Sequence, residues 1–429
     1  MSRKVNLFAS CMVLVSIPVG ISAQDVPPSP PPVGETETLT SSPTIPLLMA
    51  QDGLTAEEAT ALLDRQGAIQ SYLETSGVTQ RPDFLDLVVR PKPYQIILTF
   101  GKDVRVNEII ASVPNELRRF VKVRKAKHDK SGRRNAIATL TNAFKIAGAD
   151  FAVGYNADAE RYFVDTADAA TTSRLKPLIP SALAGEVDLL TGALPEQTSD
   201  PNAVPTGVRS GDWAVAGWGN RTVGSGFPCT LGFTITFGTN LQGILTASHC
   251  TEPKEVDRGT HKYVFPDTYY QSSTAQNHDY AIYRTDGLLT DYRVYYRNTK
   301  STPGYSSQGW LSVKNFIRHA NQWVGMYTCK MGTTTGLTCA KSISTTYDWK
   351  RTGSSEWLRL SSTTTVAEGG DSGGPAFVTL DSSRPSEITA AGILAGGGGP
   401  YATVNYTAVV MPIDRAFDHV SNVRLKTTP

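Results

Sequence analysis

Two stretches of this chain carry residues that together could break an acyl bond. Gly370-Asp371-Ser372-Gly373-Gly374-Pro375 offers a serine in a glycine-rich turn, and Thr246-Ala247-Ser248-His249-Cys250 offers a histidine beside a half-cystine. A serine hydroxyl is a poor nucleophile until a base takes its proton, so the histidine supplies what the serine lacks. The oxyanion that forms needs backbone N–H donors, and glycines around the serine keep side chains away from those amides.

The serine stretch also satisfies GxSxG, the nucleophile turn of an α/β-hydrolase esterase. In that fold the acid and the histidine follow the serine. Asp414 and His419 do follow Ser372, but only 57 residues remain after it. The sequence before it is rich in glycine and threonine, where strands and helices should alternate. The order His…Asp…Ser is available instead. Asn277-His278-Asp279-Tyr280-Ala281-Ile282 places Asp279 at the head of an apolar strand, where a buried acid could orient the ring. Asp267 beside Pro266 and Asp286 in an Asp-Gly turn are weaker choices. His278 should point away from Asp279 in a strand and is read as a surface residue. His128, His261 and His319 have no partner pattern and read as structural or exposed.

The elements that must hold these residues are short. Leu231–Phe237, Ile244–Ala247, Tyr280–Tyr283, Trp357–Leu360, Ala376–Leu380 and Ala391–Leu394 are alternating runs between Gly, Ser and Thr turns. They predict an all-β sandwich or barrel. Only Ile413–Val420 reads as helical there. The preceding half differs. A Pro-rich tail over 24–50 precedes a helix with a Thr55/Glu58 capping box and a Gly77 stop. Tyr94–Phe100 reads as a strand and Asn107–Phe120 as helix broken near Pro114. Phe151–Tyr155 and Arg161–Asp165 read as strands, and about 167–178 as helix. The basic cluster Lys122–Arg134 reads as a solvated hairpin. Glu196-Gln197-Thr198-Ser199-Asp200-Pro201 is linker-like. The domains expected are therefore a leader over 1–23, the tail, an α+β unit over 51–205 and a β unit over 206–429.

The leader rests on Arg3 and Lys4, the apolar run Val5–Ile21 and then Ser22-Ala23, a secretory signal with cleavage after Ala23. The protein is expected outside the cell or crossing the periplasm, with no stable membrane association after cleavage. A net charge of +2 points to no nucleic-acid partner. Beyond the leader, Cys229, Cys250, Cys329 and Cys339 make an even set, which in an exported protein implies two disulfides. Three connectivities are possible; the nearest-neighbour scheme closes two local loops and is the expected one. There is no CxxC or HExxH, so no metal is expected, nor any cofactor.

The blocks around His249, Asp279 and Ser372 occur in an order and spacing that resemble the chymotrypsin-like serine peptidases, in particular the secreted bacterial branch of streptogrisins and α-lytic protease. Cys329-Lys330-Met331-Gly332-Thr333-Thr334-Thr335-Gly336-Leu337-Thr338-Cys339 is similar to a small disulfide loop of that branch. The resemblance covers roughly residues 213–420. It implies two packed six-stranded antiparallel β-barrels with the site between them. It also implies Ser372 as nucleophile, His249 as general base and then acid, Asp279 as orienting acid, and the amides of Gly370 and Ser372 as the oxyanion hole. Asp371 is expected to be structural. A binding protein on this scaffold that had lost catalysis is the alternative of a different class, but it would be expected to lack one of the three residues.

Two positions depart from the branch. Val366 stands six residues before the serine where a third disulfide usually starts, a loss of a few kcal/mol. Ala395 stands where a serine usually contacts the aspartate, a loss of about 1 kcal/mol. With no aspartate at Val366 and with Leu394 where glutamate-specific relatives carry histidine, neither basic nor acidic P1 residues are expected. Val366, Ala395, Gly396 and Gly397 then line a pocket for a medium-to-large apolar P1 side chain of a polypeptide substrate. The branch is made as pre-pro-enzymes, so 51–205 is expected to act as a pro-region, a folding partner or inhibitor of the β unit. Slow folding of non-local β pairings gives such help a physical use.

Overall fold

The computed structural model describes residues 42–428 apart from 193, 195–212, 217–218, 223–227, 239–240, 251–253, 259–260, 265–267, 272–277, 286–288, 298–307, 333, 351–356, 364 and 398–407. The leader, most of the Pro-rich tail, the linker-like stretch and the rival acids Asp267 and Asp286 lie outside the described residues.

The N-terminal half repeats one plan. Helix α1 (Thr44–Asp52) precedes α2 (Ala56–Thr75), then β1 (Phe84–Pro91), β2 (Tyr94–Phe100), α3 (Val106–Ser112), α4 (Asn115–Arg118) and β3 (Val121–Lys125). Helix α5 (Lys130–Lys145), β4 (Phe151–Asn156), β5 (Arg161–Thr166), α6 (Ala169–Leu175) and β6 (Val187–Thr191) follow. In each set an antiparallel hairpin is joined, on its second strand, by a parallel strand arriving through a helix. The capping box forms as read: the Glu58 amide donates to Thr55 Oγ1 at 3.1 Å and the Thr55 amide to Glu58 Oε2 at 2.9 Å. Gly77 ends that helix with φ +65°. Helix α1 occupies the end of the segment read as tail, because Leu48 packs beside Leu62, Leu63 and Tyr327.

The basic cluster is not a solvated hairpin. It is β3 followed by the start of α5, which Asp129 caps by accepting the Gly132 amide at 2.7 Å. Arg133 is buried against Asp86 and over the Tyr155 ring, 4.2 Å from its centroid. Arg124 bonds Thr99 Oγ1 at 2.9 Å. The ring face and the carboxylate offset part of the cost of burying this guanidinium, which charge counting does not anticipate.

The C-terminal half is built of strands, with a helix, Asp414–His419, ahead of the last strand, Val423–Leu425. One five-stranded sheet contains Thr234–Phe237, Leu241–Thr246 and Ala281–Arg284. The expected six strands per barrel are not reproduced by the pairings among the described residues. The strand Gly336–Lys350 is 15 residues long and pairs in turn with Tyr327–Gly332, Trp357–Thr363 and β4. The sheet therefore runs on into the N-terminal half and counts twelve strands.

Both N-terminal sheets dock by the first strand of their hairpin. β4 pairs antiparallel with Tyr347–Trp349, and β1 bridges Val324 through Val88. These edges give open N–H and C=O groups their partners. Gln66 of α2 adds to the contact, accepting the Tyr327 amide at 2.8 Å and donating to the Thr379 carbonyl at 3.1 Å.

One buried acid lies in this seam. The Tyr347 hydroxyl donates to Asp165 Oδ2 at 2.6 Å, and the Tyr347 ring stacks on Phe163, 5.8 Å between centroids. Gly154 lies between them, and a Cβ there would fall 2.3 Å from the Phe163 ring. Burial pushes the Asp165 carboxyl up to about 7, and the hydrogen bond from the Tyr347 hydroxyl opposes that shift. A carboxyl raised in the folded state stabilises fully below its ordinary value and contributes less as pH climbs, losing about 4 kcal/mol by pH 7. The urea midpoint of the Ser372→Ala chain should therefore fall relative to Ser372→Ala/Asp165→Asn between pH 4 and pH 7. A difference that is flat with pH would contradict the assignment.

Candidate active site

The strands Leu241–Thr246 and Ala281–Arg284 run antiparallel, with Thr246 opposite Ala281. Residues just past the end of the first thus lie opposite residues just before the start of the second. That register brings His249 to Asp279. His249 Nδ1 donates to Asp279 Oδ2 at 2.6 Å, and the His249 amide donates to Oδ1 at 3.1 Å. Asp279 is completely buried and the His249 side chain nearly so. With Nδ1 donating, the lone pair of the neutral ring sits on Nε2. That atom is buried and makes no hydrogen bond.

The serine turn is clamped against the same segment. The Thr230 amide donates to the Ser372 carbonyl at 2.8 Å, and Thr230 Oγ1 to the Gly370 carbonyl at 2.7 Å. Thr246 Oγ1 in turn donates to the Thr230 carbonyl at 3.1 Å. Gly373, at φ +83°, has no room for a side chain: a Cβ would lie 2.1 Å from Thr246 Oγ1. On the other side, the Gly373 amide donates to the Leu394 carbonyl at 2.7 Å. The disulfides pair nearest neighbours, Cys229 with Cys250 and Cys329 with Cys339. The first fixes His249's neighbour to the Thr230 strand, and the Cys250 sulfur touches the Ser372 carbonyl oxygen at 3.6 Å.

Asp371 anchors the turn from behind. It is fully buried and meets Lys330 Nζ at 2.8 Å. It also accepts the amides of Thr334, Thr335 and Glu368 at 2.9, 3.1 and 3.1 Å. Gly332 must be glycine here, since a Cβ would fall 2.1 Å from Asp371 Oδ1. Burial lowers the Lys330 pKa, and the Asp371 charge opposes that shift.

The residues read as pocket lining come from two facing stretches. The Val366 carbonyl accepts Thr338 Oγ1 at 2.9 Å, and Ala395, Gly396 and Gly397 end the buried strand Glu387–Gly397. Space beside Gly397 is limited, since a Cβ there would lie 2.5 Å from the Ala367 Cβ.

His278 is not a surface residue. It is buried with its ring edge-on to His419 at 4.1 Å, and desolvation lowers its pKa to about 4. His128 Nε2 meets Glu186 at 2.8 Å, and His319 Nε2 meets the Thr345 carbonyl at 2.9 Å. Two residues near the site escaped the sequence reading. Ser248 Oγ donates to Asp279 Oδ1 at 2.6 Å, so this carboxylate has a hydroxyl partner although Ala395 carries none. Lys330 is the other; its only sequence signal was a lone cation in an apolar strand.

No family model and no curated protein matches the chain. Solved structures similar to part of it are bacterial proteases. A Nocardiopsis protease (NAPase) has 22% identity and a TM-score of 0.38, covering 50% of this chain and 100% of its own. Thermobifida fusca protease A has 20% identity and a TM-score of 0.36 over the same shares. A Cellulomonas bogoriensis chymotrypsin has 23% identity and a TM-score of 0.35, again over 50% and 100%.

Proposed function

We propose that this chain is a secreted serine endopeptidase made as a pre-pro-enzyme. The observation that carries this reading is the buried Asp279–His249 couple, which leaves the lone pair of the neutral ring on Nε2, with the Ser372 turn in contact with the next residue, Cys250. Ser372 Oγ attacks the peptide carbonyl carbon while its proton passes to His249 Nε2. The imidazolium keeps its Nδ1–H on Asp279, which stabilises the new charge and holds the tautomer. The amides of Gly370 and Ser372 bind the oxyanion. Nε2 then protonates the leaving amine, and a water activated by the same nitrogen releases the acid from Ser372.

Residues 51–205 serve as the pro-region, a folding partner or inhibitor of the β unit. The paired edges at β4 and β1 support this, because an intramolecular template satisfies strand groups that are costly to leave open. Val366, Ala395, Gly396 and Gly397 line the P1 pocket. They bring no charge, which favours a medium-to-large apolar side chain. With chromogenic peptides, kcat/KM for a Phe-containing substrate should exceed that for its Lys counterpart by about a hundredfold, the scale set by leaving a buried charge unpaired. Equal turnover of the two would remove the specificity, and no turnover of either would remove the activity.

A further inference from the structure

Among the described residues, the Asp279 carboxylate accepts from three donors of the adjoining Ser248–His249 segment. Two come from His249 itself, through Nδ1 and the backbone amide. Any histidine at this register would supply them. The third, the Ser248 hydroxyl at 2.6 Å, depends on the side chain at one further position. Ser248 is 4% exposed and Asp279 0%. A hydroxyl buried there could have turned back to a backbone carbonyl of its own segment, as serine often does. It donates instead to a carboxylate, a charge-assisted bond of the strong kind.

The geometry gives that bond a task. The terminal torsion of an aspartate is broad and roughly two-fold, so a single bond from the ring does not fix the carboxylate plane. A bond on each oxygen does. Without the hydroxyl, Oδ1 would keep from these two residues only the His249 amide, at 3.1 Å the longest of the three contacts. With only the longer contact from these residues left on Oδ1, the carboxylate plane would be held less firmly, and the ring bonded to it likewise. Nε2 would lose its fixed orientation.

We propose that Ser248 is a positioning residue for the Asp279–His249 couple, holding the carboxylate so that the imidazole presents Nε2 toward Ser372. The inference rests on the serine-peptidase reading above. It assigns Ser248 no contact with substrate; the residue acts through Asp279.

The test compares the parent with its Ser248→Ala and Ser248→Thr variants, each expressed as the full chain and assayed after cleavage within the linker-like stretch 196–201 frees the β unit. A Phe-containing chromogenic peptide measures turnover, and a fluorophosphonate counts active sites. Ser248→Ala should lower kcat per titrated site by about ten- to a hundredfold, the effect of losing one hydrogen bond to a charged group. KM should stay within about twofold, because substrate binding is untouched. Ser248→Thr, which keeps the hydroxyl, should recover most of the loss. The low-field proton resonance of His249 Nδ1–H should shift or broaden in the alanine variant and return in the threonine variant. A merely structural serine would instead lower the melting temperature and leave kcat per site unchanged, which overturns the inference. An alanine variant that equals the parent in kcat and in the resonance also overturns it, while the peptidase reading stands. A parent that neither hydrolyses the peptide nor takes up the fluorophosphonate overturns both.

Discussion

Replacing Asp279 by asparagine is expected to lower kcat by about four orders of magnitude, the scale seen when a triad aspartate is neutralised, while the chain stays folded. Asp279 accepts on both oxygens: Ser248 and the His249 amide on Oδ1, the ring on Oδ2. Asparagine keeps one oxygen and turns the other into a donor. If its NH2 faces the backbone, two donors there meet a third. If it faces the ring, Nδ1 must accept and its proton moves to Nε2. The nitrogen that should receive the Ser372 proton then has no lone pair. Steady-state kinetics with active-site titration measures the loss, and a melting curve checks the fold. A variant within tenfold of the parent would show that Asp279 does not set the tautomer.

The second large effect concerns stability. Asp371→Asn should destabilise the chain by about 3–5 kcal/mol, the cost of stranding one partner of a buried ion pair. Lys330 is fully buried, and Asp371 is its ionic partner at 2.8 Å. The same carboxylate gathers the amides of Thr334, Thr335 and Glu368, so the loop before Gly336 and the approach to Ser372 lose their common anchor. Urea unfolding of the Ser372→Ala and Ser372→Ala/Asp371→Asn chains reads the cost without interference from turnover. Adding Lys330→Met, which removes the stranded charge, should recover part of it. A change below about 1 kcal/mol, the range of a surface ion pair, would contradict the burial on which the expectation rests.

Local signals carried far in this sequence, and non-local ones did not. Thr55 and Glu58 announced α2, and Pro114 the break between α3 and α4, because capping and proline sterics act within a few residues. Nearest-neighbour cysteines joined, since short loops close easily. His249 and Asp279 were both singled out and lie hydrogen-bonded, owing to the Thr246–Ala281 register. β1 and α5 were missed. In α5, Lys130, Arg133 and Arg134 masked an apolar stripe of Ile137, Leu140 and Phe144. Buried polar groups were the other failure. Lys330, Arg133 and Asp165 read as solvated or go unremarked, because the partner that offsets burial is distant in the chain, and His278 is buried by packing against the equally distant His419. The continuity of β4 with the strand Gly336–Lys350 had no sequence signal at all, since strand pairing leaves none in either partner alone.

If His249 activates Ser372 as proposed, that serine reacts with electrophiles that an unassisted hydroxyl leaves alone. A serine-directed fluorophosphonate, reacted with the chain after folding and cleavage within the linker-like stretch 196–201 and followed by peptide mapping, reads that activation. The label is expected on Ser372, absent from Ser372→Ala and strongly reduced in His249→Ala, with all three chains folded. Label on another residue, or equal labelling of the parent and Ser372→Ala, would contradict the account.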